Sequence, residues 1–458
     1  MKEKHIQHLY WRVGFGILPT ELKALSKKKK KDIVNSLLDA SNTITPLTVD
    51  TSEIEALLNY SQENKKENRM KIQKISREKA KELNIAWVDR LSNTDEILRE
   101  KMTLFWANHF VCKDNNFVFS QNFHNTLRKH ALGNFKDFVV AISQEAAMTK
   151  YLNTKQNKKQ KPNENFAREL MELFTLGVGN YTEDDIKESA KAFTGYGHNL
   201  KGEFVLRTRQ HDEGNKIFFG KTGNFSGEDI IGIILEEKQC AKYICEKVYR
   251  YFVNENLDEA HINQMVETFY PNYDIKELMR FVLVSDWFYD ENNIGIKIKS
   301  PIEFLVGIQT TVPFHFENNK RLLYLQKVLG QILLNPPNVA GWKGGKSWID
   351  SNTIVLRLKL PSLLLNNAYI SKAKIGEVDN VEVQKAMFKK RYGKYYQVNV
   401  NWEAFNKHYK NVEIDKLDAY LLSCDMNPEA ISYLNSLAKV SKQEYCIQVM
   451  SLPEYQMC

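Results

Sequence analysis

The chain has 458 residues, of which 43% are apolar and 26% are charged, and its formal net charge is +8. This apolar content is sufficient for a packed core and excludes a largely disordered protein. The low numbers of glycine (21) and proline (11) exclude collagen-like and low-complexity classes. The length allows two or three domains of ordinary size or one large domain.

The positive charge lies in the first third of the chain, where residues 1–161 contain 29 Lys/Arg and 18 Asp/Glu. It is concentrated in the lysine run 27–31 and in the stretch 65–81. The second stretch places opposite charges at helical spacing, such as Glu67 and Lys71, which is typical of a solvated helix face. A basic run can attract nucleic acid, but no zinc-finger pattern or aromatic stacking platform accompanies it. The sequence therefore does not predict a nucleic-acid partner.

The features that report on the compartment are mostly negative. The first twelve residues carry charges and have no uninterrupted apolar region, so no signal peptide is predicted. No window approaches the roughly 18 consecutive apolar residues of a membrane span. The six cysteines follow no disulfide or zinc-binding pattern. These features predict a cytoplasmic protein with reduced thiols, while export with a partner or earlier removal of a leader stays open.

Apolar residues recur at helical spacing along most of the chain. In chain order, the pattern predicts short helices over the first 40 residues, a linker at 42–52, helices near 61–91, 95–112, 118–132, 135–150 and 164–176, one β-hairpin near 203–220, and helices near 227–235, 238–254, 301–311 and 322–334. The pair Pro336-Pro337 begins a Gly/Trp-rich loop at 335–350. We predict a mainly α fold, in which a large multi-helix globular domain (1–370) carries this hairpin and loop and is followed by a C-terminal helical appendage (371–458).

Searches for standard catalytic motifs give negative results. The chain contains no HExxH, no GxSxG and no GxGxxG after a predicted strand. Gly220-Lys221-Thr222 is similar to the end of a phosphate-binding loop, but the glycine that this motif requires at 215 is Asn215. The sequence therefore predicts none of the corresponding enzyme classes.

The densest group of candidate site residues lies on one predicted helix. At about 100° per residue, Glu164, Arg168 and Glu172 form a row opposite the apolar arc, and Glu169 lies at its edge. Asn163 in the preceding loop adds an amide. This row can be a salt-bridged solvent-exposed face. Alternatively, two carboxylates beside an arginine can hold a cation, orient a substrate or act in acid–base chemistry.

Three further features could join that helix in space. They are Asn108-His109 near a helix end, His211-Asp212 with Lys216 in the predicted hairpin, and Trp342 with Trp348 in the Gly-rich loop. Each has a structural alternative, since a histidine on an aromatic helix is often a core residue and tryptophans can cover a core. A histidine beside carboxylates nevertheless suits a metal ion or proton transfer, and indole rings can stack on a sugar or a base.

Several segments occur together in an order that resembles a known family. They include LYWRVGFG at 9–16, FWANHF at 105–110, NENFARELMELFTLG at 163–177, HDEGNK at 211–216 and PPNVAGW at 336–342. In these segments the chain resembles the bacterial family called domain of unknown function 1800, over about residues 5–365. The resemblance implies a mostly helical fold without an agreed chemistry. It also implies a partner, a protein of the family domain of unknown function 1501, which is similar to sulfatases and alkaline phosphatases.

Two functional hypotheses follow. In the first, the chain is an enzyme that hydrolyses, or transfers a group on, a glycan- or peptide-like substrate. Its catalytic residues would be Arg168, Glu169, Glu172 and His211, its substrate-binding residues Asn108, Asn163, Glu164, Lys216 and Trp342, and the ligands of a divalent metal ion His109, Glu172 and Asp212. In the second, it is a non-catalytic accessory or binding protein for the sulfatase- or phosphatase-like partner, and these polar residues form structural networks.

Overall fold

Helices make up most of the computed structural model, which describes residues 1–59, 65–366, 398–437 and 440–458. This confirms the predicted mainly α fold. The predicted boundary between residues 370 and 371 lies outside the described residues. No helix within the described ranges is long and apolar enough to cross a membrane. All six cysteines are free thiols.

The helices of the first part of the chain follow the predicted order with two differences: residues 135–150, predicted as one helix, form two, and the helix Ser52–Asn59 was not predicted. They are α1 (Glu3–Val13), α2 (Pro19–Ser26), α3 (Lys30–Ala40), α4 (Ser52–Asn59), α5 (Lys65–Ser92), α6 (Ile97–His109), α7 (Phe117–His130), α8 (Phe135–Gln144), α9 (Ala146–Tyr151) and α10 (Asn165–Glu169). A π-helical turn, Leu170–Thr175, extends α10.

The remaining helices lie on both sides of the Gly/Trp loop. They are α11 (Glu183–Ala192), α12 (Gly227–Glu236), α13 (Lys238–Phe252), α14 (Glu259–Phe269), α15 (Ile275–Val284), α16 (Pro301–Thr311), α17 (Lys320–Leu329), α18 (Ser351–Leu365), α19 (Trp402–His408), α20 (Leu417–Leu421), α21 (Pro428–Ser436) and α22 (Lys442–Met450).

Several of these helices begin at a capping box, in which a hydroxyl and a carboxylate three residues later bond to each other's backbone N–H groups. The pairs are Thr182 with Asp185 at α11, Ser226 with Asp229 at α12 and Ser300 with Glu303 at α16. These pairs satisfy N–H groups that a helix start leaves without partners. They explain why α11, α12 and α16 begin where they do.

The strands of the described residues form three antiparallel pairs. Strand β1 (Tyr196–His198) pairs with β2 (Phe204–Leu206), β3 (Lys216–Phe218) with β4 (Lys221–Gly223), and β5 (Phe314–Phe316) with β6 (Val398–Val400). The predicted hairpin near 203–220, in which its two strands would pair with each other, is therefore wrong: β2 pairs with the preceding β1, and β3 pairs with the following β4. The reason is the two-residue turn Phe219-Gly220, in which both residues have positive φ (46° and 73°), as tight hairpin turns require.

The core consists of two hydrophobic clusters that meet at α6. One surrounds Trp106 and includes residues of α7, α8 and α13. The other surrounds Trp87 and joins α5 and α16 to residues of the C-terminal helices, such as Phe405 and Ile447. Because α6 contributes Trp106 to the first cluster and Leu104 to the second, its C-terminal half lies at their junction.

Candidate functional site

A cavity of about 550 Å³ opens beside the C-terminal half of α6. Its size falls within the range of small-molecule binding sites. Its walls come from α6, α13, the segment before α16 and the Gly/Trp loop. The lining residues include the cationic Lys247, Arg250, Lys297, Lys343 and Lys346, the acidic Glu255 and Glu303, and the aromatic Phe105, Tyr251, Trp342 and Trp348. We call this the basic cavity.

The Gly/Trp loop is attached to α6 by the side chain of Asn108. The Asn108 amide donates to the Trp342 carbonyl (3.0 Å), and its Oδ1 accepts from the Trp342 N–H (2.7 Å). Gly341 has φ +74°, and a Cβ at this position would clash with Asn108 Oδ1. The loop can therefore approach the helix only because residue 341 is glycine, and this approach places Trp342 in the cavity wall.

Lys297 and Lys247 bring positive charge into a partly buried environment. The Lys297 ammonium donates to the Arg250 carbonyl at 2.6 Å. Burial, together with the charge of Arg12, lowers the pKa of Lys297 to about 8. Burial also lowers the pKa of Lys247, with Arg250 acting in the same direction. In both cases burial outweighs the nearby carboxylates, Glu303 and Glu255 at Lys297 and Glu246 at Lys247, and a bound anion would favour the charged ammonium groups.

The charge of the Glu303 carboxylate is balanced by the buried ammonium group of Lys101. The carboxylate lies 2.5 Å from the ammonium of Lys101, whose side chain is only 2% exposed, and it accepts from the Ser300 N–H at 2.7 Å. Burial alone would raise the pKa of Glu303, but the ion pair and the hydrogen bonds outweigh burial and lower it to about 2. Glu303 is therefore an ionised, fully engaged group, and it does not cancel the charge of the five cations.

His109 lies in the wall of the basic cavity and is neutral. Burial lowers its pKa to about 3, and the charge of Lys247 contributes to this shift. Its Nε2 lies 3.0 Å from the Phe174 carbonyl. Because a carbonyl only accepts, Nε2 carries the hydrogen and Nδ1 presents a lone pair. That Nδ1 is buried and has no hydrogen-bond partner, so it can accept a hydrogen bond from a ligand.

The predicted row on α10 is divided by the π-helical turn. Arg168 pairs with Glu164 (3.3 Å), as the spacing predicts, and makes a two-pronged contact with Glu183 (2.8 and 2.9 Å). Beyond it the Leu176 N–H bonds to the Met171 carbonyl five residues earlier, and the wider turn changes the direction of the following side chains.

The two remaining glutamates of the predicted row, Glu169 and Glu172, follow Arg168 in the sequence. Glu172 accepts from the Tyr181 hydroxyl at 2.9 Å. Burial, with the charge of Glu172, raises the pKa of Glu169. Neither glutamate lines the basic cavity.

His211, Asp212 and Lys216 form a network that connects two loops. His211 Nδ1 and the Asp212 N–H bond to the carbonyl and hydroxyl of Thr194, at 2.8 and 2.7 Å. The fully buried Lys216 donates to the Asp212 carbonyl (2.7 Å) and to Asn224 Oδ1 (2.9 Å). These contacts hold the segment between β2 and β3 in place.

Asn163 acts locally as well, within its own loop. Its N–H donates to Asn157 Oδ1 at 2.9 Å, and its side-chain oxygen accepts from the Asn165 N–H at 3.1 Å. These bonds shape the start of α10. Asn163 is not among the residues that line the basic cavity.

The structure thus brings together three of the predicted site residues, Asn108, His109 and Trp342, in the basic cavity. The other predicted residues lie in the separate networks described above. Among the residues that the structure describes, no group of three or more His, Cys, Asp or Glu side chains is arranged to hold a metal ion. The predicted ligands Glu172, His109 and Asp212 accordingly have different partners.

Sequence reasoning missed most of the charged residues of the cavity. Lys247, Arg250 and Tyr251 share one face of α13 at helical spacing, which is a detectable signal. Lys343 and Lys346 flank the glycines of the Gly/Trp loop and were also accessible to such reasoning. Lys297 has no distinctive neighbours in the sequence, and only the fold places it beside the others.

Comparison with known proteins identifies a family. No curated protein and no solved structure matches the chain. The family described as a protein of unknown function (DUF1800) matches residues 8–457, which is nearly the whole chain and includes the C-terminal helices. This match confirms the resemblance carried by the ordered motifs. The chain therefore belongs to the DUF1800 family.

Proposed function

We propose that the protein binds an acidic glycan, or a fragment of one, in the basic cavity. The observation that carries this proposal is the excess of cations: five cationic side chains line the cavity together with two carboxylates, and one of these, Glu303, is paired with Lys101. A site with this balance attracts anions and weakens the binding of cations. The ligand's carboxylate or sulfate groups would contact the lysines.

The aromatic residues favour a sugar among anionic ligands. Trp342 and Trp348 are about nine-tenths buried and line the same cavity as the lysines. A flat indole ring provides an apolar face for the C–H side of a sugar ring, while polar groups fix its orientation. A peptide-like ligand would gain less from two indoles, because its backbone needs a row of donors and acceptors.

A binding role fits the chemistry of the cavity better than hydrolysis does. Acid–base catalysis needs a group whose pKa lies near the working pH. The pKa of Glu303 is about 2, because its ion pair and hydrogen bonds outweigh burial, and burial lowers that of His109 to about 3. Lys297 has a pKa of about 8, but Glu303 and His109 are each held in one protonation state near neutral pH. The accessory hypothesis gains from this, since sulfatase- and phosphatase-like enzymes act on esters of anions. A protein that holds an acidic glycan would suit such a partner.

Calorimetric titration with three oligosaccharides of equal length tests the proposal: a sulfated one, a uronic-acid one and a neutral glucan. We expect the acidic oligosaccharides to bind, with an affinity that falls as salt rises, and the neutral one to bind far more weakly. The double variant Lys343→Ala/Lys346→Ala should lower the affinity about tenfold, because it removes two charges of the rim.

The matched control is Lys27→Ala/Lys28→Ala, which removes two charges from the lysine run outside the cavity. It should leave the affinity unchanged. Equal losses in both double variants would show that binding depends on general charge only and would refute the proposed site. Binding of the neutral glucan with the same affinity would refute the requirement for an anion.

A further inference from the structure

A second cavity, of about 630 Å³, lies between α1 and the segment 416–426. Its walls come from α1, from Ile294 and from the C-terminal part of the chain as far as α21. It shares no lining residue with the basic cavity. Its ligand chemistry can therefore be considered independently.

The carboxylates of this second cavity are unpaired. Glu3, Asp418 and Asp425 line it, and within the described residues none of their carboxylates has a hydrogen bond or an ion pair. Lys4 and Lys416 also line it, but their ammonium groups are engaged elsewhere. Lys4 pairs with Glu291 at 2.5 Å and Lys416 pairs with Glu413. The charge left for a ligand is therefore negative.

Two buried polar side chains in the same cavity also lack partners. His8 is 1% exposed and Ser423 is 7% exposed, and neither His8 Nδ1 nor Ser423 Oγ has a hydrogen-bond partner in the part of the chain that the structure describes. Burial, with the charge of Arg12, lowers the pKa of His8 well below its usual value, so the ring is neutral. Its Nε2 lies 3.0 Å from the Phe288 carbonyl and carries the hydrogen, so Nδ1 is an acceptor.

Leaving a buried acceptor without a partner leaves its desolvation cost uncompensated. A ligand that donates hydrogen bonds would remove this cost at His8, and it could bond Ser423 as well. The carboxylates also accept only. The polar groups available to a ligand in this cavity therefore select a donor-rich cation.

The positions of the carboxylates and of the apolar side chains indicate which kind of cation fits the cavity. Glu3 lies on α1, whereas Asp418 and Asp425 lie on the opposite segment, and Ile294, Leu422 and Met426 also line the cavity. A compact metal ion needs several ligands around one point, and no such group exists among the described residues. A ligand whose amino groups are separated by methylenes matches this arrangement, because its ammonium groups can contact the carboxylates while its methylenes pack on the apolar side chains.

We infer that the cavity between α1 and segment 416–426 binds a small aliphatic polyamine. Its ammonium groups contact Glu3, Asp418 and Asp425, its N–H groups donate to His8 and Ser423, and its methylenes contact the apolar side chains. This inference does not depend on the proposed function of the basic cavity.

Titration calorimetry with spermidine and the full chain tests this inference. We expect one spermidine per chain, and the double variant Asp418→Asn/Asp425→Asn should weaken its binding at least about tenfold. Ser423→Ala should weaken it a few-fold without destabilising the protein, because the removed hydroxyl has no hydrogen-bond partner among the described residues. Neither change should alter binding of an acidic oligosaccharide to the basic cavity.

The control variant Asp39→Asn/Asp137→Asn changes the net charge equally at two exposed positions outside the cavity. Equal weakening of spermidine binding by this control would overturn the inference, as would the absence of binding. Displacement of spermidine by equimolar Mg²⁺ would also overturn it, because it would indicate a site for compact cations. Retained binding in the control together with loss in Asp418→Asn/Asp425→Asn would support it.

Discussion

The Lys101–Glu303 ion pair connects the wall of the basic cavity to the interior. Lys101 also donates to the Gly14 carbonyl at 2.9 Å, and Glu303 caps the start of α16 through Ser300. The pair therefore joins α1, α6 and α16. Removing one partner of this pair should destabilise the fold, because a buried charge that loses its counter-ion keeps the full cost of desolvation.

We predict that Glu303→Gln lowers the free energy of unfolding by about 3 kcal/mol. The amide still caps α16, but the ammonium of Lys101 loses its counter-ion while 2% exposed. Chemical denaturation measures the change. The control is Glu183→Gln, which removes an exposed partner of Arg168 and should cost less than about 1 kcal/mol. A similar, small loss in both variants would show that burial does not set the strength of the Lys101–Glu303 pair.

At the level of elements, the Gly/Trp loop depends on how closely it approaches α6. Gly341 and Gly344 both have positive φ, at +74° and +77°. They differ in their surroundings, because a Cβ at 341 would clash with Asn108 Oδ1, whereas one at 344 would meet only Trp348 Nε1, at 4.0 Å. Comparing substitutions at 341 and 344 therefore distinguishes the effect of backbone strain from the effect of the Asn108 contact that attaches the loop to α6.

We predict that Gly341→Ala costs about 3 kcal/mol of stability and Gly344→Ala about 1–2 kcal/mol. Gly344 (φ +77°, ψ −174°) lies in a backbone region that residues with a Cβ rarely adopt, but only Gly341→Ala adds a clash. Gly341→Ala should also weaken the binding of acidic oligosaccharides, because it displaces Trp342 from the wall. Thermal unfolding and titration calorimetry measure the two effects. If both variants behave alike, the Asn108 contact does not hold the loop.

Element types were predictable where local signals decide them. The helical spacing of Leu98, Met102 and Phe105 predicts α6, and the predicted helices near 227 and 301 begin at the caps of α12 and α16. Helix α11 was not predicted, although its capping box is visible in the sequence as Thr182-x-x-Asp185. The π-helical turn was not predictable, because it depends on how α10 packs against its neighbours rather than on its own pattern. Glu172 lies in that turn and accepts a hydrogen bond from Tyr181.

At the scale of the whole molecule, the basic cavity could not be found from the distribution of charge in the sequence. Residues after 161 carry slightly more acid than base, yet all five cations of the cavity come from that part. They lie between residues 247 and 346 and meet only through tertiary folding. The lysine run 27–31, which is the most conspicuous group of positive charges in the sequence, lies outside the cavity. Asn108, His109 and Trp342 were found because their segments have a distinctive local chemistry.

The buried histidines make the whole fold sensitive to acid. Burial lowers the pKa of His109 to about 3 and, with the charge of Arg128, that of His124 to about 3, and the pKa of His8 is lowered as well. As pH falls below the usual value of 6.5, the unfolded chain takes up protons at these positions and the folded chain does not. Their contribution to stability is therefore complete above pH 6.5 and is lost towards pH 3.

We predict that lowering the pH to 5.5 costs about 1.4 kcal/mol of unfolding free energy for each of His109 and His124. The Glu303 carboxylate does not contribute to this loss. Because its pKa in the folded protein is about 2, the stability that its ion pair provides is lost only as the pH falls below the usual glutamate pKa of 4.5. Denaturation at a series of pH values measures the slope. His124→Gln should reduce the loss at pH 5.5 by about 1.4 kcal/mol, whereas His315→Gln, at an exposed position of β5, should leave it unchanged. An unchanged slope in His124→Gln would mean that the folded protein accepts a proton at this position without unfolding.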